Sequence, residues 1–177
     1  MTYVISNPMA GVLPIASTDD GVTFTNGSTA YPTPPLRPGM IVQAQSPTYG
    51  AGEFILLKGV ANTAVGSVVT YNTTTFQTAL AAVGTNKPQP IAIAMAAVDA
   101  ADWGWYQISG IAVVKKTCTV SLAANAAVGV LTTGLIAGTA SGKEVEGALV
   151  AAVASATAGR TTVQVVLNRP RMQGRVT

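Results

Sequence analysis

Short apolar runs separated by turn residues constrain the fold of this chain more than any other feature of its sequence. From Met40 onward, runs rich in Val, Ile, Thr and Ala end repeatedly at Gly, Pro, Asn or Asp. β-Branched residues favour strands, because branching at Cβ restricts χ1 in a helix. Turn signals that recur about every eight to twelve residues are typical of such all-β domains. We therefore predict an all-β fold, with a single β-barrel or β-sandwich domain.

The predicted strands of this domain follow one another closely. They are MIVQAQ, EFILLKGVA, GSVVTYN, PIAIAMAAV, WGWYQISGIAVV, TCTVSL, AVGVLTT, VEGALVAAVASA and RTTVQVVLN. Alternation along WGWYQISG gives two faces, with Trp103, Trp105, Gln107 and Ser109 on one and Tyr106, Ile108 and Gly110 on the other. In TTTFQTALAAVG and in the residues after VEGALV, alanine favours a helix while the flanking Gly and Thr favour a strand, so both possibilities stay open.

The first 39 residues differ in composition from the rest of the chain. They hold six of the ten prolines, and AYPTPPLRPGM approaches a polyproline II segment, because each proline fixes φ and biases the preceding residue to extended geometry. We expect residues 1–39 to form an extended arm with one hairpin, GVTFTNGSTAY, around Asn26-Gly27. Residues 40–168 then form the β-rich domain, and residues 169–177 form a basic C-terminal tail.

Charged residues make up only 10% of the 177 residues, against about a quarter in an ordinary globular protein. A free domain normally covers itself with charged side chains, so we expect a partner to cover much of this surface. The net charge is +3, and seven of the ten basic residues follow Val114, but they are scattered and lie apart from the aromatic residues. This pattern disfavours nucleic acid and suits a tail that touches an acidic protein neighbour. Polar residues interrupt every long uncharged stretch, so we also expect no membrane partner.

The residue types needed for common catalytic sites are scarce. The chain has no histidine and one cysteine, Cys118, which excludes Ser-His-Asp and Cys-His catalysis, histidine-containing metal sites and an intrachain disulfide. Asp99 with Asp102, and Glu144 with Glu146, could act as paired acids, but turn capping and solubility explain them better. We predict no catalytic residue, no metal, no cofactor and no enzymatic activity.

Both tryptophans of the chain, Trp103 and Trp105, lie one residue apart, and Tyr106 follows them. Such a pair could stack on a sugar ring, fill a core or line a seam between subunits. Carbohydrate sites surround their aromatic residues with carboxylates and amides, and this segment supplies only Gln107 and Asp102. We therefore favour a core or an interface.

Three segments, EFILLKGVANTAVGSVVTYN, PIAIAMAAVDAADWGWYQISGIAVVKK and TTVQVVLNRPRMQG, occur in this order. The order resembles the small capsid decoration (head cement) proteins of tailed bacteriophages. WGWYQISG carries most of the resemblance, which covers Pro38 to Gly174, whereas the Ala/Gly-rich tracts are nearly generic. The resemblance implies a β-rich domain that binds the outside of an icosahedral head, often as a trimer, and tightens contacts between major capsid protein subunits. It implies no catalytic residues.

We accordingly expect this chain on the outer surface of a virion capsid, bound to the major capsid protein as a homo-oligomer, with a trimer favoured. The proline-rich arm suits a strap on a neighbouring subunit, because a pre-extended segment loses less entropy on binding. The candidate capsid or subunit contacts are Tyr31, Pro32, Pro34, Pro35, Arg37, Trp103, Trp105, Arg169 and Arg171. The alternatives are a glycan- or receptor-binding module of a head or tail fibre, and a tail-tube or other virion assembly protein.

Overall fold

The structure, a computed structural model, describes residues 3–6, 13–19, 22–26, 29–33, 36–83, 88–117, 121–153 and 161–174. Every helix or strand element within these ranges is a strand, so the predicted all-β class is confirmed. The strands are β1 (Val4–Ile5), β2 (Thr18–Asp19), β3 (Val22–Asn26), β4 (Thr29–Thr33), β5 (Ile41–Ser46), β6 (Gly50–Lys58), β7 (Val68–Tyr71), β8 (Thr78–Leu80), β9 (Ile91–Ala94), β10 (Trp103–Lys115), β11 (Ala127–Thr132), β12 (Leu135–Gly138), β13 (Glu144–Val150) and β14 (Thr162–Met172).

The longest strand, β10, joins the two halves of a 12-stranded antiparallel sheet. In its first half, Tyr106 pairs with Ile55 of β6 on one edge and with Ala94 of β9 on the other. At Ser109 the partners are β6 and β14, and from there to Lys115 the strand pairs with β14. Neighbouring strands extend the sheet in the order β1-β5-β6-β10-β14-β13-β11-β12, while β7 pairs with β8 and β9. The sheet folds into a sandwich-like arrangement and not into a closed barrel.

From Trp103 to Gln107 the side chains of β10 alternate between two faces, as predicted from the sequence, but a β-bulge between Gln107 and Ser109 interrupts the alternation, so Ser109 does not share the predicted face. Trp103 and Trp105 pack in one cluster of buried residues with Phe54 and Leu56 of β6. On the opposite face, Tyr106 packs in a second cluster with residues of β6, β7 and β9. In the second half of the strand, Ala112 and Val114 belong to a third cluster, built with β11, β13 and β14. Both faces of the first half are therefore buried, which explains why its largest aromatic side chains lie there.

The N-terminal residues contribute to the sheet and the core. β1 pairs with β5, and β2 pairs with Trp103 and Gly104 at the start of β10. The side chains of Tyr3 and Ile15 are buried in the tryptophan cluster. The expected boundary at residue 39 therefore does not separate residues 3–6 and 13–19 from the domain.

The predicted hairpin around Asn26-Gly27 is present as a separate two-stranded sheet of β3 and β4. At the other end of the chain, β14 continues to Met172, so residues 169–172 belong to the sheet and not to a tail. Residues 78–80, for which the sequence left both a helix and a strand possible, form β8. Most of the predicted strand TCTVSL, at 118–120, lies outside the described residues.

Gly39 offers a test of how the end of the proline-rich segment is fixed to the domain. Its φ is +74°, its N–H donates to the Leu56 carbonyl, and a Cβ at this position would lie 2.2 Å from the Phe76 ring. Gly50 has nearly the same φ, +73°, with no atom within 4 Å of its Cβ position. We expect Gly39→Ala to lower the free energy of unfolding by about 3 kcal/mol and Gly50→Ala by only about 1 kcal/mol, since only the first adds a ring clash to the backbone strain. Urea unfolding of both variants measures the difference, and equal losses would contradict this packing.

Candidate functional site

The tryptophan pair is a core feature of the chain itself. Trp105 is fully buried and Trp103 is 9% exposed. The Trp105 indole Nε1–H donates a hydrogen bond of 2.9 Å to the Leu13 carbonyl, which satisfies the one polar group of the ring. Neither side chain offers a surface to a sugar or to a second subunit. The assignment of Trp103 and Trp105 to an interface is therefore wrong, and of the alternatives only the core is consistent with their burial.

Tyr3 closes one side of this cluster. Its hydroxyl donates to the Ile111 carbonyl at 2.7 Å and accepts from Gln107 Nε2 at 3.3 Å. Its ring meets the Phe54 ring edge-on at 4.9 Å and stacks on Tyr49 at 6.3 Å between centroids. Burial raises the pKa of Tyr3, although the Gln107 hydrogen bond lowers it in part. This role could not be predicted from the sequence, because a single tyrosine next to proline-interrupted residues has no periodic pattern.

Gln107 lies fully buried behind Tyr3, and its side chain forms hydrogen bonds to the second half of β10. Besides its bond to Tyr3, its Nε2 group donates to the carbonyls of Ser109 and Ile111, both at 3.1 Å. These bonds bridge the β-bulge that interrupts the pairing with β6 between Gln107 and Ser109. The predicted shared face of Gln107 with the tryptophans thus serves the packing of the N-terminal segment and not a ligand.

The candidate arginines are at the surface, where two of them form ion pairs. Arg169 contacts both carboxylate oxygens of Glu53, at 3.2 and 3.4 Å, and Arg171 Nε lies 2.6 Å from Glu146 Oε2. Both arginine side chains are 64% exposed, so each pair adds little to stability. Arg37 is exposed, and its backbone carbonyl accepts from Met40 N–H. The pairs neutralise the two arginines that we expected to tether the chain to a partner.

A shallow cleft of about 310 Å³ lies beside the paired arginines. Its floor is mainly apolar and its rim includes Arg169 and Arg171; the other lining residues are Ile41, Tyr71, Thr73, Pro88, Pro90, Ile91, Ile108 and Pro170. Burial raises the pKa of Tyr71, while the charge of Arg169 lowers it in part. Because both guanidinium groups already have carboxylate partners, an anionic ligand would have to compete with Glu53 and Glu146 for them.

The proline-rich candidates divide into two groups. Tyr31 and Pro32 lie in β4, whose backbone the structure describes, whereas Pro34 and Pro35 lie outside the described residues. The structure therefore places half of this set on the hairpin. It does not bring them together with the arginines or the tryptophans through any pairing of the described strands.

In the second half of β10 and its neighbours β14 and β13, one face of the sheet is uncovered. We call it the open face; its residues are Ile111, Val113, Leu149, Ala151, Gln164 and Val166. Leu149 and Val166 are cross-strand partners that remain 46% and 43% exposed, and Ile111 pairs with Val166 from the other side. The sequence signal for this face was weak, since alternation in β13 and β14 shows two faces but not which one is covered.

The described residues contain no group of three or more His, Cys, Asp or Glu side chains arranged to hold a metal ion. Asp102 N–H donates to the Asp99 carbonyl, so this pair of acids lies in a turn, as favoured from the sequence. Lys116 is only 2% exposed, and its Nζ donates to the Thr117 carbonyl at 3.3 Å. Cys118 lies outside the described residues. Over the ranges given above, no helix has the length and hydropathy of a membrane span.

Tyr106 predicts how the stability of the domain depends on alkaline pH. No hydrogen bond of normal length and angle reaches its buried hydroxyl, and burial raises the pKa to about 12, with the Thr78 and Thr63 hydroxyls offsetting only part of the rise. Between pH 10 and 12 the unfolded chain loses this proton while the folded chain keeps it, so the free energy of unfolding falls, by up to about 3 kcal/mol. We expect Tyr106→Phe to remove most of this fall and to leave stability near pH 8 unchanged or higher. Urea unfolding between pH 8 and 12 measures both effects, and a fall that persists undiminished in the variant would contradict them.

No protein-family model matches this sequence, and a search of curated proteins finds none that is significantly similar to it.

Proposed function

We propose that this chain is a structural protein of a tailed-bacteriophage virion that binds the outer surface of the head and stabilises contacts between major capsid protein subunits. It acts as a homo-oligomer, with a trimer favoured, and it uses no cofactor and catalyses no reaction. The resemblance of WGWYQISG and its flanking segments to head decoration proteins motivates the proposal. The structural observation that carries it is the β3–β4 hairpin, which is fixed at its base and separate from the main sheet.

The hairpin is anchored on both sides. Before it, Thr18 and Asp19 of β2 pair with β10. After it, Gly39 N–H donates to the Leu56 carbonyl and Leu56 N–H donates to the Met40 carbonyl, both at 2.9 Å. Among the strands that the structure describes, β3 and β4 pair only with each other. An isolated two-stranded hairpin is at best marginally stable in water, which favours a partner that completes it.

The two outer edges of the hairpin differ in their capacity to pair. Only two residues separate Asn26 from Thr29, so this pair is hydrogen-bonded, and the pattern then alternates along the ladder. The backbone N–H and C=O groups of Thr23 and Thr25 therefore point away from β4. Pro32, opposite Thr23, has no N–H to offer on the outer edge of β4. An added strand from a capsid subunit is thus favoured on the β3 edge.

The burial of the tryptophans removes the feature that favoured a glycan-binding module. A protein that decorates a capsid needs contact surface and not a reactive pocket. Several modest contacts repeated around an oligomer give avidity. The low charge content and the hairpin both suit this function.

Two proline substitutions at paired positions test the proposal. Thr25 and Ala30 are cross-strand partners at a position where neither N–H takes part in the hairpin ladder. Thr25→Pro removes an outward N–H from the β3 edge, whereas Ala30→Pro removes one from the edge that Pro32 already blocks. We expect Thr25→Pro to weaken binding to purified heads that lack this chain by at least about tenfold, or about 1.4 kcal/mol. Ala30→Pro is expected to bind like the unmodified protein.

Occupancy of the heads can be measured by co-sedimentation and quantitative mass spectrometry. Failure of the unmodified protein to bind heads would overturn the proposed function. Binding that both variants retain, or that both lose equally, would overturn the assignment of the β3 edge.

A further inference from the structure

The register of the β3–β4 hairpin places its largest residues in one row on one face. Phe24 lies directly opposite Tyr31, and Val22 lies opposite Thr33. Because alternate residues of a strand belong to opposite faces, these four residues share a face. The paired positions of the other face hold only Thr, Ala and Pro. The bulkiest cross-strand pair of the ladder is therefore Phe24 with Tyr31.

Phe24 also lies between the two residues whose backbone groups are available to an added strand. Thr23 and Thr25 direct their N–H and C=O groups outward from β3, whereas those of Phe24 bond to Tyr31 of β4. An antiparallel strand that bonds to Thr23 and Thr25 places one residue opposite Phe24, at a non-hydrogen-bonded position. The Cα atoms of such a pair are about 4.5 Å apart, against about 5.5 Å in a hydrogen-bonded pair, so their side chains approach most closely.

We infer that Phe24 determines which strand the β3 edge accepts, by pairing with a large apolar side chain of that strand. The inference rests on the proposed function, since it concerns the capsid strand that completes the hairpin. The added strand runs antiparallel to β3, because antiparallel pairs are slightly more stable per residue than parallel ones. Its apolar residue extends the row of Phe24 and Tyr31 across three strands.

The chemistry of the hairpin also limits the neighbouring residues of the added strand. The residues opposite Thr23 and Thr25 exchange backbone hydrogen bonds with them, so neither is proline. Residues 22–33 of this chain contain no charged residue, so a charged side chain opposite Phe24 would lose water without gaining a counter-charge. The recognised feature is thus a large apolar residue between two residues other than proline.

Tyr31 supports this contact from the far side of Phe24. It lies on β4, so two spacings between neighbouring strands, or roughly 10 Å, separate it from the added strand. Backbone bonds at a sheet edge supply affinity for any extended chain, whereas side chains at alternate positions supply selectivity. One favourable cross-strand pair changes an equilibrium by up to about fivefold, and repetition around an oligomer multiplies this factor. The selectivity therefore resides in Phe24.

The substitutions Phe24→Thr and Tyr31→Thr separate the contact with the added strand from the stability of the hairpin. Both remove the same cross-strand pair and introduce the same β-branched residue, so they weaken the hairpin itself to a similar extent. Only Phe24→Thr also removes the contact with the added strand. We expect it to weaken binding to purified heads that lack this chain by at least about fivefold, and Tyr31→Thr by no more than about twofold. Phe24→Leu keeps a large apolar side chain and is expected to retain most of the binding.

Co-sedimentation with heads measures these affinities, and circular dichroism with thermal unfolding establishes that each variant is folded. Equal losses in Phe24→Thr and Tyr31→Thr would show that Phe24 acts only within the hairpin, and the inference would be wrong. Full binding of Phe24→Thr, together with lost binding of Thr25→Pro, would also overturn it and leave the proposed function standing. Failure of the unmodified protein to bind heads would overturn both.

Sedimentation-velocity ultracentrifugation of the full chain without heads identifies the source of the added strand. If the strand comes from a capsid subunit, Phe24→Thr leaves any association between copies of this chain unchanged, which is the result we expect. Self-association that Phe24→Thr abolishes would mean that a second copy supplies the strand, and the assignment to a capsid strand would be wrong.

Discussion

The pairing of β10 along both edges is the constraint on which the rest of the structure depends. Strands β6, β5 and β1 extend from one edge, and β2, β9 and β14 share the other. Because the first half of β10 is also buried on both faces, its side chains have to be apolar or have internal partners. Trp105 meets this requirement through the Leu13 carbonyl, and Gln107 meets it in part through Tyr3 and two backbone carbonyls. The N-terminal segment is fixed to the domain for the same reason.

The sheet around β10 thus has a sealed half, in which the first part of the strand is buried on both faces, and an open half, in which one face of the second part is exposed. The sealed half uses the aromatic residues for stability and leaves them no role in binding. The open half and the hairpin are the parts that a neighbour can still complete, the first through side chains and the second through backbone groups. A protein whose function is contact requires surfaces of this kind, and the proposed function assigns a capsid neighbour to the hairpin.

The sequence predicted what depends on local pattern. Alternation identified the two faces of β10, and Asn-Gly identified the hairpin, because strand period and turn geometry are properties of a few adjacent residues. It did not predict that Tyr3 and Leu13 cover the tryptophans, because these contacts join residues about a hundred positions apart and leave no periodic trace. Proline content wrongly suggested that all residues before 39 form an arm. The basic residues after 168 likewise suggested a tail, whereas Arg169, with a φ of +43°, lies at an irregularity within β14.

We propose that this chain covers the surface of a phage head. The amount of the chain relative to major capsid protein in purified virions tests it most directly, by quantitative mass spectrometry of separated heads and tails. We expect a nearly equimolar ratio in the head fraction. A few copies per particle, or recovery of the chain with the tails, would contradict it.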